Sequence, residues 1–130
     1  MTRRDLIILG LLGFGIWLNG AVMFRFGGAM MFESGPLALL LSAAAIALAV
    51  CLLLRSIMSW RKVPPAEAVT AAVILIVPGL FGDVAYILNF SALTGLSPTT
   101  AGPFAAVLIF GTAVLLAYAL ALAHGGNNGR

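Results

Sequence analysis

A chain of 130 residues that is 62% hydrophobic and only 8% charged has too little polar side chain to cover a water-exposed globule, which would carry about 25% charged residues. A soluble domain is excluded, and the bilayer is the expected solvent for most of the chain. The net charge of +3 does not mark a nucleic-acid binder, because the basic residues lie beside helix ends rather than along one face.

The first predicted element is an apolar run from Leu6 to about Phe26, long enough for one crossing, since a spanning helix takes about 20 residues. Thr2 and Asp5 stand three apart just before it, the spacing of a capping box that satisfies early backbone N–H groups. Arg3 and Arg4 give this start the look of a signal peptide, but the run exceeds the roughly 7–15 residues of a signal core and no Ala-x-Ala site follows, so an uncleaved span is expected. Gly10, Gly13, Gly15 and Gly20 leave it a smooth stripe, and Gly27-Gly28 reads as the turn after it. Two polar residues sit in its second half, Asn19 and Arg25, the latter about 13–14 Å from the middle by helix rise.

A second span runs from Pro36 to Leu54, opened by Ser34 and Pro36 and carrying Ala43–Ala47 and Ala45–Ala49 pairs. It holds the only cysteine, Cys51, so no intrachain disulfide can form. Arg55, Arg61 and Lys62 follow, with Trp60 placed for the membrane interface. The third span runs from Ala66 to Phe90, with Pro64 and Pro65 at its start and Glu67 in its first turn, where negative charge suits the helix dipole. The fourth runs from about Ala101 to Ala123, its start blurred by Pro98, Gly102 and Pro103, with Ala113, Ala117 and Ala121 in one line. His124, the only histidine, lies at its end, suited to the terminal carbonyls rather than to a metal, and "GGNNGR" is read as a flexible tail.

Four apolar spans with short links predict an all-α fold, a four-transmembrane-helix antiparallel bundle forming a single integral membrane domain over residues 1–130. Arg3, Arg4, Arg55, Arg61, Lys62 and Arg130 fall on one side of it, whereas the other has only Arg25, sharing its loop with Glu33, and an uncharged "SALTGLSPTTAG". The positive-inside rule then puts both termini in the cytoplasm of a bacterial inner membrane.

The residue that most resists this apolar pattern is Asp83, inside "VPGLFGDVAYILNF". An unpaired charge there costs about 2.5–3.5 kcal/mol, so the carboxylate must be neutral, paired or facing water. Gly79, Tyr86 and Phe90 share its face at helical spacing, Asn89 lies slightly to one side, and Pro78 removes one helix hydrogen bond a turn earlier. Arg25 can reach Asp83 if the first and third helices are neighbours. Asn19 stands about 120° from Arg25 on a regular helix, so it faces elsewhere unless the turn is distorted. Two readings compete. In one, Asp83, Arg25, Asn19, Tyr86 and Asn89 form a satisfied network that locks the bundle. In the other, Asp83 binds a proton or cation in a transport path. A single acid beside an arginine suits the lock better.

Other chemistry is sparse. His, Cys and acidic residues do not cluster for a metal, no nucleophile–base pair can be nominated, and no P-loop or dinucleotide fingerprint occurs. Met23, Met30 and Met31 are too few for a copper site. The reading is a non-enzyme with no catalytic residue, metal or cofactor.

"GFGIWLNGAVMFRFGG", "VPGLFGDVAYILNF" and "LLAYALALA" together resemble an uncharacterised family of small bacterial four-helix integral membrane proteins, a domain of unknown function. Its marks are matched by Phe24-Arg25-Phe26, by Pro78, Gly79 and Asp83, and by Tyr118. The resemblance implies the four-helix fold and brings no activity. The helix-1 glutamate of small multidrug transporters has no counterpart, and the asparagine and phenylalanine motifs of small fluoride channels are not matched. The expected function is that of a structural, interaction or accessory membrane protein, surrounded by membrane lipid, its protein partner being a second copy or another membrane protein. The alternative is a small transporter or channel that uses Asp83.

Overall fold

The computed structural model describes residues 1–128, and within them the side chains up to Gly125. Helix α1 spans Arg3–Phe32, running past the expected end at Phe26 and through Gly27 and Gly28, which are helical rather than a turn. Its start is the capping box expected from Thr2 and Asp5: the Asp5 N–H donates to Thr2 Oγ1 over 3.2 Å, and the Thr2 N–H donates to Asp5 Oδ2 over 3.0 Å. Helix α2 spans Pro36–Arg61, about two turns longer than its apolar run suggested. Pro36 opens it, but Ser34 does not cap it. Gly35 holds that position at φ +111°, where a side chain would be strained. The Ser34 hydroxyl instead donates back to the Ala29 carbonyl.

A 3₁₀ turn, Pro65–Glu67, leads into α3, Ala68–Leu88, which continues through Pro78. The third span was expected to remain helical through Phe90. It stops at Leu88, because Asn89 leaves helical geometry (φ −115°, ψ 30°) and turns its amide back to donate to the Ala85 carbonyl at 2.9 Å. Phe90 opens the short α4, Phe90–Thr94, which ends on Gly95 at φ +74°. A 3₁₀ turn at Pro98–Thr100 precedes α5, Ala101–Asn128. Because α5 continues past His124, that residue is not in its last turn, and the expected flexible tail begins with helix; Arg130 lies outside the described residues. Residues 3–32, 36–61, 65–88 and 98–125 are each long and apolar enough to cross a membrane.

The closest packing joins α1 to α3 and α2 to α5, with α5 also against α3, so the order around the bundle is α1–α3–α5–α2. Chain neighbours run antiparallel, but the two tightest pairs are parallel. Along α1 and α3, Gly13 meets Leu75, Trp17 meets Gly79 and Gly82, and Ala21 meets Tyr86. Along α2 and α5, Ile46 meets Gly111, and Arg55 meets Tyr118. At Gly13 the approach is so close that a Cβ would overlap the Leu75 carbonyl, which is how a small residue draws two helices together in lipid. The alanine line on the last helix does not serve this end. Ala113, Ala117 and Ala121 are exposed, while Gly111, Leu115 and Ala119 turn inward. Ala45 and Ala49 also face out, and Ala47 faces in. Spacing reveals several smooth stripes on one helix without saying which is covered.

Buried side chains form two clusters. One, at the end holding Met1 and the α2–α3 link, is aliphatic and small: Leu9, Leu54, Ala68, Ala71, Ala72, Leu115 and Ala119. This basic end is closed by Arg61 on Asp5 (2.6 Å) and by the terminal amine on Glu67 (2.9 Å). The other, at the far end, is aromatic. Phe104 packs against Phe24, Phe32, Tyr86 and Phe90 with centroids 5.1–5.5 Å away.

Candidate functional site around Asp83

Asp83 sits where the aliphatic half gives way to the rings. Gly79 and Gly82, four and one residues before it, leave a notch on α3. The indole of Trp17 from α1 fills that notch so closely that a Cβ on Gly82 would lie 2.5 Å from a ring carbon. From there Trp17 Nε1–H donates to Asp83 Oδ1 at 2.8 Å. One turn further along α3, the Tyr86 hydroxyl donates to the Ala21 carbonyl at 3.1 Å. The Trp17 and Tyr86 rings meet edge to face, 6.3 Å between centroids. Two side-chain hydrogen bonds thus tie α1 to α3, of the kind that holds helices together in an apolar solvent.

Of the residues expected at this site, the structure brings Asp83 and Tyr86 together against α1, and among the described residues Arg25, Asn19 and Asn89 make no hydrogen bond or ion pair to either. Arg25 is not paired with Asp83. It follows Trp17 by eight residues, about 12 Å along a helix parallel to α3, and its guanidinium reaches the backbone of Gly95 instead, so closely that a Cβ there would lie 2.7 Å from Nη1. Asn19 is exposed and lines a groove with Leu11, Leu12 and Leu53, away from α3. Asn89 is exposed and occupied with the end of α3. Phe90 leaves the Asp83 stripe with the helix break and joins the aromatic cluster. Trp17 escaped the sequence reading. The signal was there in two glycines beside a buried acid, a notch shaped for a ring that carries a donor.

Asp83 is half-buried and lies on the wall of two cavities. A small one of about 150 Å³ occupies the bundle centre among Trp17, Tyr86, Phe104, Val50 and Leu108. A larger one of about 380 Å³ runs between α3 and α5, walled by Leu80, Val84, Ile87, Leu108 and Leu116, with Thr112 as its other polar side chain. Among the described residues, Asp83 is the only charged one on either wall. Its Oδ1 is engaged by a neutral donor. Its Oδ2 takes no partner among the described residues and is not sealed from the cavities. A carboxylate in this setting can hold a proton or a cation, since no cationic side chain among the described residues pairs with it. Among the described residues no three His, Cys, Asp or Glu side chains come together.

A family model described as a family of unknown function, DUF5367, matches residues 30–125. It therefore covers α2 through most of α5, Asp83 included, and omits nearly all of α1, Trp17 included. No curated protein and no solved structure matches the chain.

Proposed function

We infer that this chain, which belongs to the DUF5367 family of unknown function, is a small transporter or channel that takes up a proton or cation on Asp83. The observation that carries this reading is the state of the carboxylate. Among the described residues it has no cationic partner and one oxygen without a hydrogen bond, and it borders both a cavity at the bundle centre and a groove at the α3–α5 seam. A lock would close the acid with Arg25, whose guanidinium lies at Gly95 instead. No enzymatic role is proposed.

The surrounding partner is membrane lipid, against which Phe26, Phe81, Leu88 and Ile109 stand more than two-thirds exposed. The membrane is the bacterial inner membrane, with both termini cytoplasmic. That placing follows from Arg3, Arg4, Arg55, Arg61 and Lys62 at one end of the bundle, against Arg25 with Glu33 at the other. Single cysteines at the exposed positions Ser59 and Thr99, in a Cys51→Ala background, test the orientation. An impermeant reagent outside cells should label position 99 and spare position 59.

A second reading, a structural or accessory protein docking on another membrane protein or a second copy, draws on the ring cluster that ties α1, α3, α4 and α5 around Phe104. Flux separates the two. In liposomes under a pH or ion gradient, the wild-type chain should carry flux that Asp83→Asn abolishes while the variant stays folded. Equal flux from both, or none from either, would leave the structural reading in its place.

A further inference from the structure

The groove between α3 and α5 is more than a gap beside an acid. It faces outward, with Val84 60% and Ile109 71% exposed on its rims, so whatever fills it comes from the bilayer rather than from water. We propose that it is a lateral binding site for a single-chain lipophilic amine, with the ammonium on Asp83 Oδ2 and the alkyl chain along the groove. This rests on the reading of Asp83 as a cation-binding carboxylate and names the class of cation.

Three observations select this chemistry. First, the wall offers too little oxygen for an inorganic ion. Sodium-like or divalent ions need about six oxygen ligands, and here one carboxylate and Thr112 are the oxygen-bearing side chains on the groove wall. An alkylammonium needs one opposite charge and a few acceptors for its donors. Second, the remaining wall is aliphatic, and from Leu108, which lines both cavities with Asp83, to Leu116 the groove runs about 12 Å along α5 by helix rise. A volume of about 380 Å³ falls in the range of roughly 300–1,000 Å³ typical of ligand sites, and that length takes most of an extended dodecyl chain. Third, the depth excludes the amine of a phospholipid headgroup. The third crossing, Pro65–Leu88, has its middle near Ile76–Val77, so Asp83 lies about 10 Å beyond it, inside a hydrocarbon half-thickness of about 15 Å. A headgroup held at the interface does not reach there, whereas a free amine dissolved in the bilayer does.

Trp17 reports on the site from its hydrogen bond to Oδ1. The experiment uses the full chain with Trp60→Phe, leaving Trp17 as its one tryptophan, in nanodiscs of zwitterionic phosphatidylcholine. Dodecylamine is the probe and dodecanol the uncharged control of the same length. The expected result is a saturable change in Trp17 emission with dodecylamine and none with dodecanol. Asp83→Asn should weaken the response about tenfold or more, the loss of one charge-assisted hydrogen bond. Ala113→Phe, an exposed groove position that leaves the carboxylate untouched, should weaken it comparably and keeps the test open if Asp83→Asn fails to fold. An amine response no larger than that of dodecanol, or one unchanged in Ala113→Phe, overturns the site. Proton flux is read on the same preparations. Asp83-dependent flux without an amine response sinks the amine site and spares the carrier. A saturable amine response sensitive to Asp83 and Ala113, without flux, supports the site and removes the carrier.

Discussion

The two ends of this bundle solve the same packing problem with opposite materials. At the basic end, alanines at positions 68, 71, 72 and 119 are fully buried and let helices close on one another. Two ion pairs cover that end, Arg61 on Asp5 and the Met1 amine on Glu67. At the far end, five phenylalanine and tyrosine rings fill the centre. The space at the bundle centre is bordered by these rings, whereas the groove along the α3–α5 seam has aliphatic walls. Asp83 borders both spaces. The comparison teaches that side-chain size changes along the helix axes, and that Asp83 is placed where the change occurs.

The sharpest way to break the comparison is to remove the ring at the middle of the far end. Phe104 is 1% exposed and touches four other rings. Phe104→Ala should cost about 3–5 kcal/mol, the range for a large buried aromatic, read as a lowered unfolding midpoint in detergent. A loss below that of Leu9→Ala at the basic end would show that the rings fill space without holding it. Next in size is Gly13→Val, which forces α1 off the Leu75 backbone. Overpacking of this kind costs about 1–3 kcal/mol, and it should also weaken the Trp17–Asp83 contact one turn on, measurable as a shift in Trp17 emission in the Trp60→Phe background. The smallest effect is a coupling. Because Arg25 and Asp83 do not meet, the losses from Asp83→Asn and Arg25→Gln should add to within about 0.5 kcal/mol in the double variant. Recovery of stability in the double variant would restore the ion-pair lock.

Much of the architecture was readable from hydropathy and helix-end chemistry. The four spans, the Thr2–Asp5 box and the proline-led starts of α2 and the third crossing follow from local rules that tertiary contacts do not override. Asp83 and Tyr86 were also legible, since a polar residue in an apolar run has to face something. What failed was register. Depth was judged from the middle of each span, which sets Arg25 only a few ångströms further out than Asp83, within reach of its flexible stem. The parallel helices α1 and α3 in fact start level, with Met1 beside Glu67, and α1 runs on beyond the end of α3. That offset brings Trp17 to Asp83 and carries Arg25 past it. The stop at Asn89 was hidden for a related reason. Asparagine inside an apolar run reads as a polar guest in a helix, and only its own hydrogen bond to Ala85 reveals it as the end.

The parallel pairing of α1 with α3 and of α2 with α5 also bears on how the chain is made. Residues that meet across these pairs, such as Trp17 and Asp83 or Arg55 and Tyr118, are separated by more than sixty positions. The first hairpin therefore emerges from the ribosome without the main partner of either helix, and contacts of such sequence separation form late. Until the third crossing is inserted, the notch that receives Trp17 does not exist, and the indole stays among lipid chains. Biogenesis is then a matter of waiting. A nascent chain halted after α2 would hold two crossings and neither of the tight parallel interfaces, which makes it the species most exposed to membrane quality-control proteases.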